Sequence, residues 1–272
     1  MGEGPSKLTN LKICLLASGS SGNCGYIAAG DTRILIDAGV SRSRVIDGLT
    51  LRGLDASRID ALFITHEHSD HAGEARRYAS HWDCPIYASR RTGQKLVHLP
   101  LGIRATQSFR IGDRIEINSL IVEPIRVFHD AVEPVGFLVH GPSESGDESI
   151  TVAYATDLGT VQKPLAQRLR EVDGLIIESN HDLDMLINGP YAWHHKQRIR
   201  SPVGHLSNQS AAELIADLVQ HGRLRAAMLT HLSETNNRPE LALETVRNQL
   251  DGLFHCDVTV APRDRPSLVL EL

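Results

Sequence analysis

Short apolar runs in this chain end again and again on a residue capable of chemistry. Ala61 to Thr65, rich in apolar and β-branched residues, reads as a buried strand that delivers His66 to a sheet edge. The same arrangement recurs at RILI before Asp37, LIVEPIRVF before His129, TVAYAT before Asp157 and AAMLT before His231. Helical spacing replaces it after Ser69 and Asp70, which suit a helix start ahead of HAGEARRYASHW. A later helix is predicted from a capping box at Ser210 and Glu213, with apolar residues at Ala211, Leu214, Ile215, Leu218 and Val219 and a stop at Gly222. Strands up to Asp37, a helix after Asp70, strands through Ala155, and then helix and strand in alternation make an α/β chain.

With 272 residues, 41% of them apolar, the chain can build one large domain or two small ones. One is favoured, because the chemistry-bearing residues run from 66 to 231 without a dividing linker. Residues 1–11 are expected to form a flexible N-terminus and 12–272 a single domain. PSESGDES, residues 142 to 149, reads as a loop between two strands. The apolar stretch ICLLA is too short for a signal peptide or a membrane span, so a cytoplasmic protein without a membrane partner is expected. Cys14, Cys24, Cys84 and Cys256 form no CxxC pair and read as buried thiols.

The segment from 66 to 71 changes the picture most. His66, His68, Asp70 and His71 crowd four ligand-type side chains into six positions, too many for one ion and suited to two. In extended chain His66 and His68 face the same side and can share a cation. The turn into the helix then swings Asp70 and His71 toward a second. A dinuclear site needs further ligands at other strand ends, and His129, Asp157 and His231 stand there. His205 lies in the loop before the later helix, where it can donate a proton to a leaving oxygen.

H-x-H-x-D-H followed by His129, Asp157 and His231 resembles the signature of the metallo-β-lactamase superfamily. That resemblance implies a four-layered αβ/βα sandwich with two divalent metal ions, for which zinc or manganese is expected and iron also suits. It implies His66, His68 and His129 on one ion, Asp70, His71 and His231 on the other, and Asp157 bridging them. Asp37 matches the superfamily's early aspartate, which orients the site without ligating. A water shared by the two ions would attack phosphorus in line. Phosphodiesterases of the superfamily pair a Glu after one strand with a His before the next helix. Glu178 and His205 look like that pair, and with Asp70 they make the expected catalytic set.

SGSSGNC, LIDAG, FHDAVEPVGF, ATDLG, ESNHD, GHLSN and HLSETNN together resemble the bacterial YycJ/WalJ group. By that resemblance the protein would be a 5'-to-3' DNA exonuclease, with DNA as its partner. Two other readings stand beside it: a small-molecule hydrolase acting on cyclic phosphates, thioesters or lactams, and a non-catalytic binding protein that keeps the fold. Intact ligand positions argue against the latter. Asp157 and His231 are too close in sequence to enclose a large capping domain.

A net charge of -5 argues against binding nucleic acid through a bulk basic surface. Local clusters can still serve: Lys196, Arg198 and Arg200 in HHKQRIR are candidate DNA contacts, while Arg90, Arg91 and Lys95 read better as a solvated face. GSSGN, residues 19 to 23, lacks the G-K-[ST] of a P-loop and reads as a tight turn between the first two strands.

Overall fold

A computed structural model describes residues 10–96, 106–143, 149–253 and 256–272. Strands β1 (Lys12–Ala17), β2 (Cys24–Ala29), β3 (Thr32–Ile36), β4 (Ala61–Phe63), β5 (Ile86–Ser89) and β6 (Gln107–Phe109) lie side by side in one sheet. A second sheet holds β7 (Ile115–Ile117), β8 (Leu120–Arg126), β9 (Val135–Gly141), β10 (Ile150–Ala155), β11 (Gly174–Glu178), β12 (Ala226–Thr230) and β13 (Asp257–Val260), again in sequence order. A final strand, β14 (Leu270–Glu271), returns to pair with β1.

Both sheets follow one plan. Each begins as an antiparallel meander, through β3 in the first and through β10 in the second, then continues as parallel strands. Parallel neighbours need crossovers, and helices supply them. In the first half these are α1 (Arg42–Leu51), α2 (Ser69–Ala72), α3 (Ala75–Trp82) and α4 (Arg90–Leu96). In the second they are α5 (Lys163–Leu169), α6 (Leu183–Asn188), α7 (Trp193–Ile199), α8 (Asn208–His221) and α9 (Pro239–Gln249).

Alternation along the strands assigns the layers. Ile34, Ile36, Phe63, Phe137, Val152, Ile176 and Met228 point between the sheets. Their neighbours Leu35 and Leu62 face α1 and α3, where Val45, Leu49 and Tyr78 are buried. Leu175 and Ile177 face α8 and α9, with Ala211, Ile215, Leu218 and Val246. Three apolar interiors thus separate four layers, the αβ/βα sandwich. At about 25 cal/mol per Å² of apolar surface, burial on both faces of both sheets is the main force holding those layers. No described helix is long and apolar enough to cross a membrane.

Several boundaries differ from expectation. Leu11 is fully buried and exchanges two 3.1 Å backbone hydrogen bonds with Leu272, which ties residue 11 to the end of the last strand. Residues 1–9 of the expected N-terminus, and 144–148 of the PSESGDES loop, lie outside the described residues. Ser207, not Ser210, caps α8: its hydroxyl accepts the Ser210 amide at 3.1 Å, and the helix starts three residues earlier than expected. Gly73 divides the helix expected over 71–82 into α2 and α3. GSSGN does form the turn, closed by the Gly22 amide on the Gly19 carbonyl at 2.9 Å.

Candidate metal centre

Parallel strands that all run one way deliver their C-terminal ends to one edge, and here the edges of both sheets meet. Asp37 follows β3, His66 follows β4, Asp157 follows β10, Glu178 ends β11 and His231 follows β12. Three of these residues turn the chain in the left-handed region, Asp37 at φ 66°, Asp157 at φ 53° and His231 at φ 54°. That conformation is uncommon for side chains other than glycine, and it re-aims each residue out of the strand and into the shared edge.

The structure brings all seven candidate ligands together. Ring nitrogens of His66, His68 and His129 cluster within 4.8 Å of one another, as do ligand atoms of Asp70, His71 and His231. His66 Nε2 lies 3.1 Å from His68 Nδ1. Asp157 stands between the clusters, with Oδ2 2.8 Å from His71 Nε2 and Oδ1 3.5 Å from His231 Nε2 and 4.0 Å from His129 Nε2. His231 Nε2 is buried without a hydrogen-bond partner, an arrangement that a cation in the cluster would complete. Burial, reinforced by His71, holds the His66 imidazole well below its usual range, and the neutral form is the one that can ligate a cation. Five imidazoles with two carboxylates fit zinc, manganese or iron. A larger cavity of about 600 Å³, bordered by Tyr26 and Arg33, includes none of these side chains, so size does not mark the chemistry.

The surroundings fix ring orientation. Asp37, fully buried, sits 2.7 Å from His71 Nδ1 and accepts the Thr65 amide at 2.8 Å. Burial alone would lower the His71 pKa; Asp37 and Asp157 reverse this and hold it well above its ordinary value. A cation taken up at His71 Nε2 would therefore have to displace a proton. Glu178, also fully buried, lies 2.7 Å from His205 Nδ1 and 3.0 Å from His231 Nδ1, and accepts the Leu158 and Leu206 amides. Burial opposes the Glu178 charge, but His205 holds its pKa down at about 2. His205, against its own burial, is raised to about 9 by Glu178.

Sequence reasoning missed the supports. Asn23 Nδ2 approaches His71 Nε2 at 2.9 Å, and the Thr65 hydroxyl joins Asp37 to His66 Nδ1. Ser18 Oγ accepts the His231 amide at 2.7 Å, and Asn180 donates to the His231 carbonyl at 2.9 Å. Asp130 lies 3.2 Å from His129 Nε2 and is ion-paired to Arg198. Each lies within or beside a motif noted above, yet only the three-dimensional register reveals its contact.

Among the expected DNA contacts Lys196 is a correction. Its side chain is mostly buried and its ammonium donates to the Ile187 and Gly189 carbonyls at 2.7 and 2.8 Å, closing the turn between α6 and α7. Arg198 and Arg200 remain exposed, as do Arg90, Arg91 and Lys95 on α4.

Gly39 allows the ligand loop its position. A Cβ at residue 39 would collide with the Asp70 carbonyl and the Asn23 amide. Gly39→Ala is expected to cost about 1–3 kcal/mol through overpacking and to weaken metal retention, read by thermal unfolding and elemental analysis. Unchanged values in both would remove Gly39 from this role.

A family profile described as "Beta-lactamase superfamily domain" matches residues 32–232. The chain is 34% identical over 243 residues to "Exodeoxyribonuclease YycJ" of Bacillus anthracis, covering 89% of each protein. It is 36% identical over 243 residues to "Exodeoxyribonuclease WalJ" of Streptococcus pneumoniae, covering 88% of each. The crystal structure of the metallo-beta-lactamase fold protein YhfI from Bacillus subtilis superposes with a TM-score of 0.67 at 17% identity, over 97% of this chain and 100% of that one, a likeness of fold. Near full-length kinship and a convergent cluster of histidines and aspartates lead to one statement: the chain belongs to the β-lactamase superfamily, alongside the YycJ and WalJ proteins, and is a metal-dependent hydrolase.

Proposed function

We propose that this hydrolase is a phosphodiesterase that degrades DNA from a 5' end. The observation that carries the reading is the Glu178–His205 pair at 2.7 Å, next to Asp157 and at the border of an open groove. Relatives named exodeoxyribonucleases, aligned over nearly the whole chain, support the choice of DNA.

His66, His68 and His129 would hold one divalent cation, Asp70, His71 and His231 a second, and Asp157 both. Zinc, manganese or iron so held would supply an acidified water and charge stabilisation of the departing oxygen. Asp70 is the more solvent-open of the two carboxylates and would accept the proton that the attacking water gives up. Glu178 holds His205 through Nδ1, so the ring's other nitrogen, Nε2, protonates the leaving oxygen. Asp37 orients His71 through Nδ1. Four free, buried cysteines accord with a reducing compartment, and we place the enzyme in the cytoplasm.

Metal-loaded protein incubated with a 5'-labelled duplex should release labelled mononucleotides. Turnover of a small phosphodiester without any DNA cleavage would instead select the small-molecule hydrolase. His205→Ala is expected to retain metal and to slow turnover by about a hundredfold, as loss of a general acid does. If metal were lost more than turnover, His205 would belong to the cage.

A further inference from the structure

The surface beside the centre departs from the rest of the molecule. Of eight exposed large apolar side chains among the described residues, five fall between 183 and 203: Leu183, Ile187, Tyr191, Trp193 and Val203. They lie on the excursion formed by α6, α7 and the loop that leads to His205. Such a concentration marks a contact surface.

A groove of about 270 Å³ runs along this excursion, lined by Tyr191 alone of the five, and reaches the chemistry. It is bordered by Ser20 and Ser21 from the turn between β1 and β2, by Tyr191, Arg198 and Arg263, and by His205 itself. Its cations are Arg198, paired to Asp130, and Arg263, paired at 3.0 Å to Glu234, which also lines the groove; both arginines keep exposed surface. The Tyr191 hydroxyl donates to Thr235 Oγ1 at 3.3 Å, which restrains the ring. A restrained aromatic presents its surface with little entropy left to lose.

We propose that this groove is the subsite for one unstacked nucleotide of a single DNA strand, with Tyr191 against the base and Arg198 and Arg263 on adjoining phosphates. The proposal rests on the phosphodiesterase reading and adds the form in which the strand must enter. An occupant beside His205 is part of the reacting molecule, and a nucleic acid strand alternates a charged phosphate with a flat apolar base. Guanidinium groups, hydroxyls and a tethered ring match that alternation. The volume lies just below the usual range for small-ligand sites and suits an occupant the size of one nucleotide. A base seated against Tyr191 has left its pairing partner, so on this proposal a duplex end frays before it is cut. Stacking accepts every base, so sequence preference should be weak. An apolar patch meant for a protein partner would not need arginines inside a groove that ends at the proton donor.

The test is a binding cycle with the metal-loaded protein. The probes are a short oligothymidine joined by phosphorothioates to resist cleavage, and the same oligomer with its terminal base removed. In the parent protein, base removal should weaken Kd about tenfold, within the range that base–aromatic stacking supplies. In Tyr191→Ala the two probes should differ by less than about twofold, and Tyr191→Phe, which keeps the ring and loses only the tether, should retain most of the parent difference. Equal penalties in parent and Tyr191→Ala, or no penalty in the parent, overturn the subsite. If the parent cuts labelled DNA yet ignores the missing base, this inference alone fails. If it neither cuts nor binds DNA, the phosphodiesterase reading fails and the subsite with it.

Discussion

Asp157→Ala is expected to leave a folded protein that retains neither cation and shows no measurable hydrolysis. The carboxylate lies within 4.0 Å of nitrogens from His71, His129, His205 and His231, so it reaches both groups of candidate ligands. Burial alone would raise its pKa, yet His231 and His71 hold it well below the usual carboxylate range, and it is an anion at neutral pH. Its removal leaves imidazoles crowded together without the charge that balances them. Changes to residues that merely orient ligands typically cost about 10–100-fold in metal affinity, and this loss should exceed that. Elemental analysis after dialysis, with circular dichroism for the fold, gives the answer. Hydrolysis that survives the substitution would dismiss the ligand assignment. His68→Ala should act on the cluster of His66 and His129 in the same direction, since its Nδ1 lies at that cluster.

The largest loss of stability is expected from Glu178→Ala. This side chain is fully buried and satisfies four donors at once: two imidazole Nδ1 atoms and the amides of Leu158 and Leu206. Truncation strands all four in the interior and removes the charge that holds His205 protonated. Removing one partner of a buried, hydrogen-bonded charge pair costs about 3–5 kcal/mol. For a chain of this size that is a fall in Tm of about 10 °C. Metal affinity should fall as well, because Glu178 sets which nitrogen His231 turns toward the cluster. Differential scanning calorimetry of metal-free protein isolates the stability component. A Tm within a degree or two of the parent would mean that water enters and satisfies those donors, and Glu178 would then be a surface group in function.

The ligand cluster was largely legible because each member comes directly after an apolar run, and a strand-end residue in parallel sheets has one edge to go to. The fold followed from the order of runs together with the resemblance. Other features were hidden for separate physical reasons. Helix α1, residues 42–51, has only Val45, Gly48 and Leu49 buried, too sparse a stripe to stand out by periodicity. Ser207 and Ser210 are both good cap residues, and only the hydroxyl geometry decides between them. Lys196 looks like part of a basic run, but its long apolar stem carries the ammonium inward to two carbonyls. Asn23 lies 48 positions from His71, and nothing local announces that the turn after β1 packs against α2.

The left-handed turns at Asp37, Asp157 and His231 carry a wider lesson. Such a conformation costs about 1–3 kcal/mol at a residue with a side chain, and glycine would adopt it without penalty. Glycine there would be comfortable and mute, since the acid or imidazole is the purpose of the bend. Natural variation at these three places is thus caught between an easier backbone and a working side chain. Torsion angles consequently serve as a fingerprint independent of any motif: where strands stop on strained acids and imidazoles, a cation cage is worth seeking.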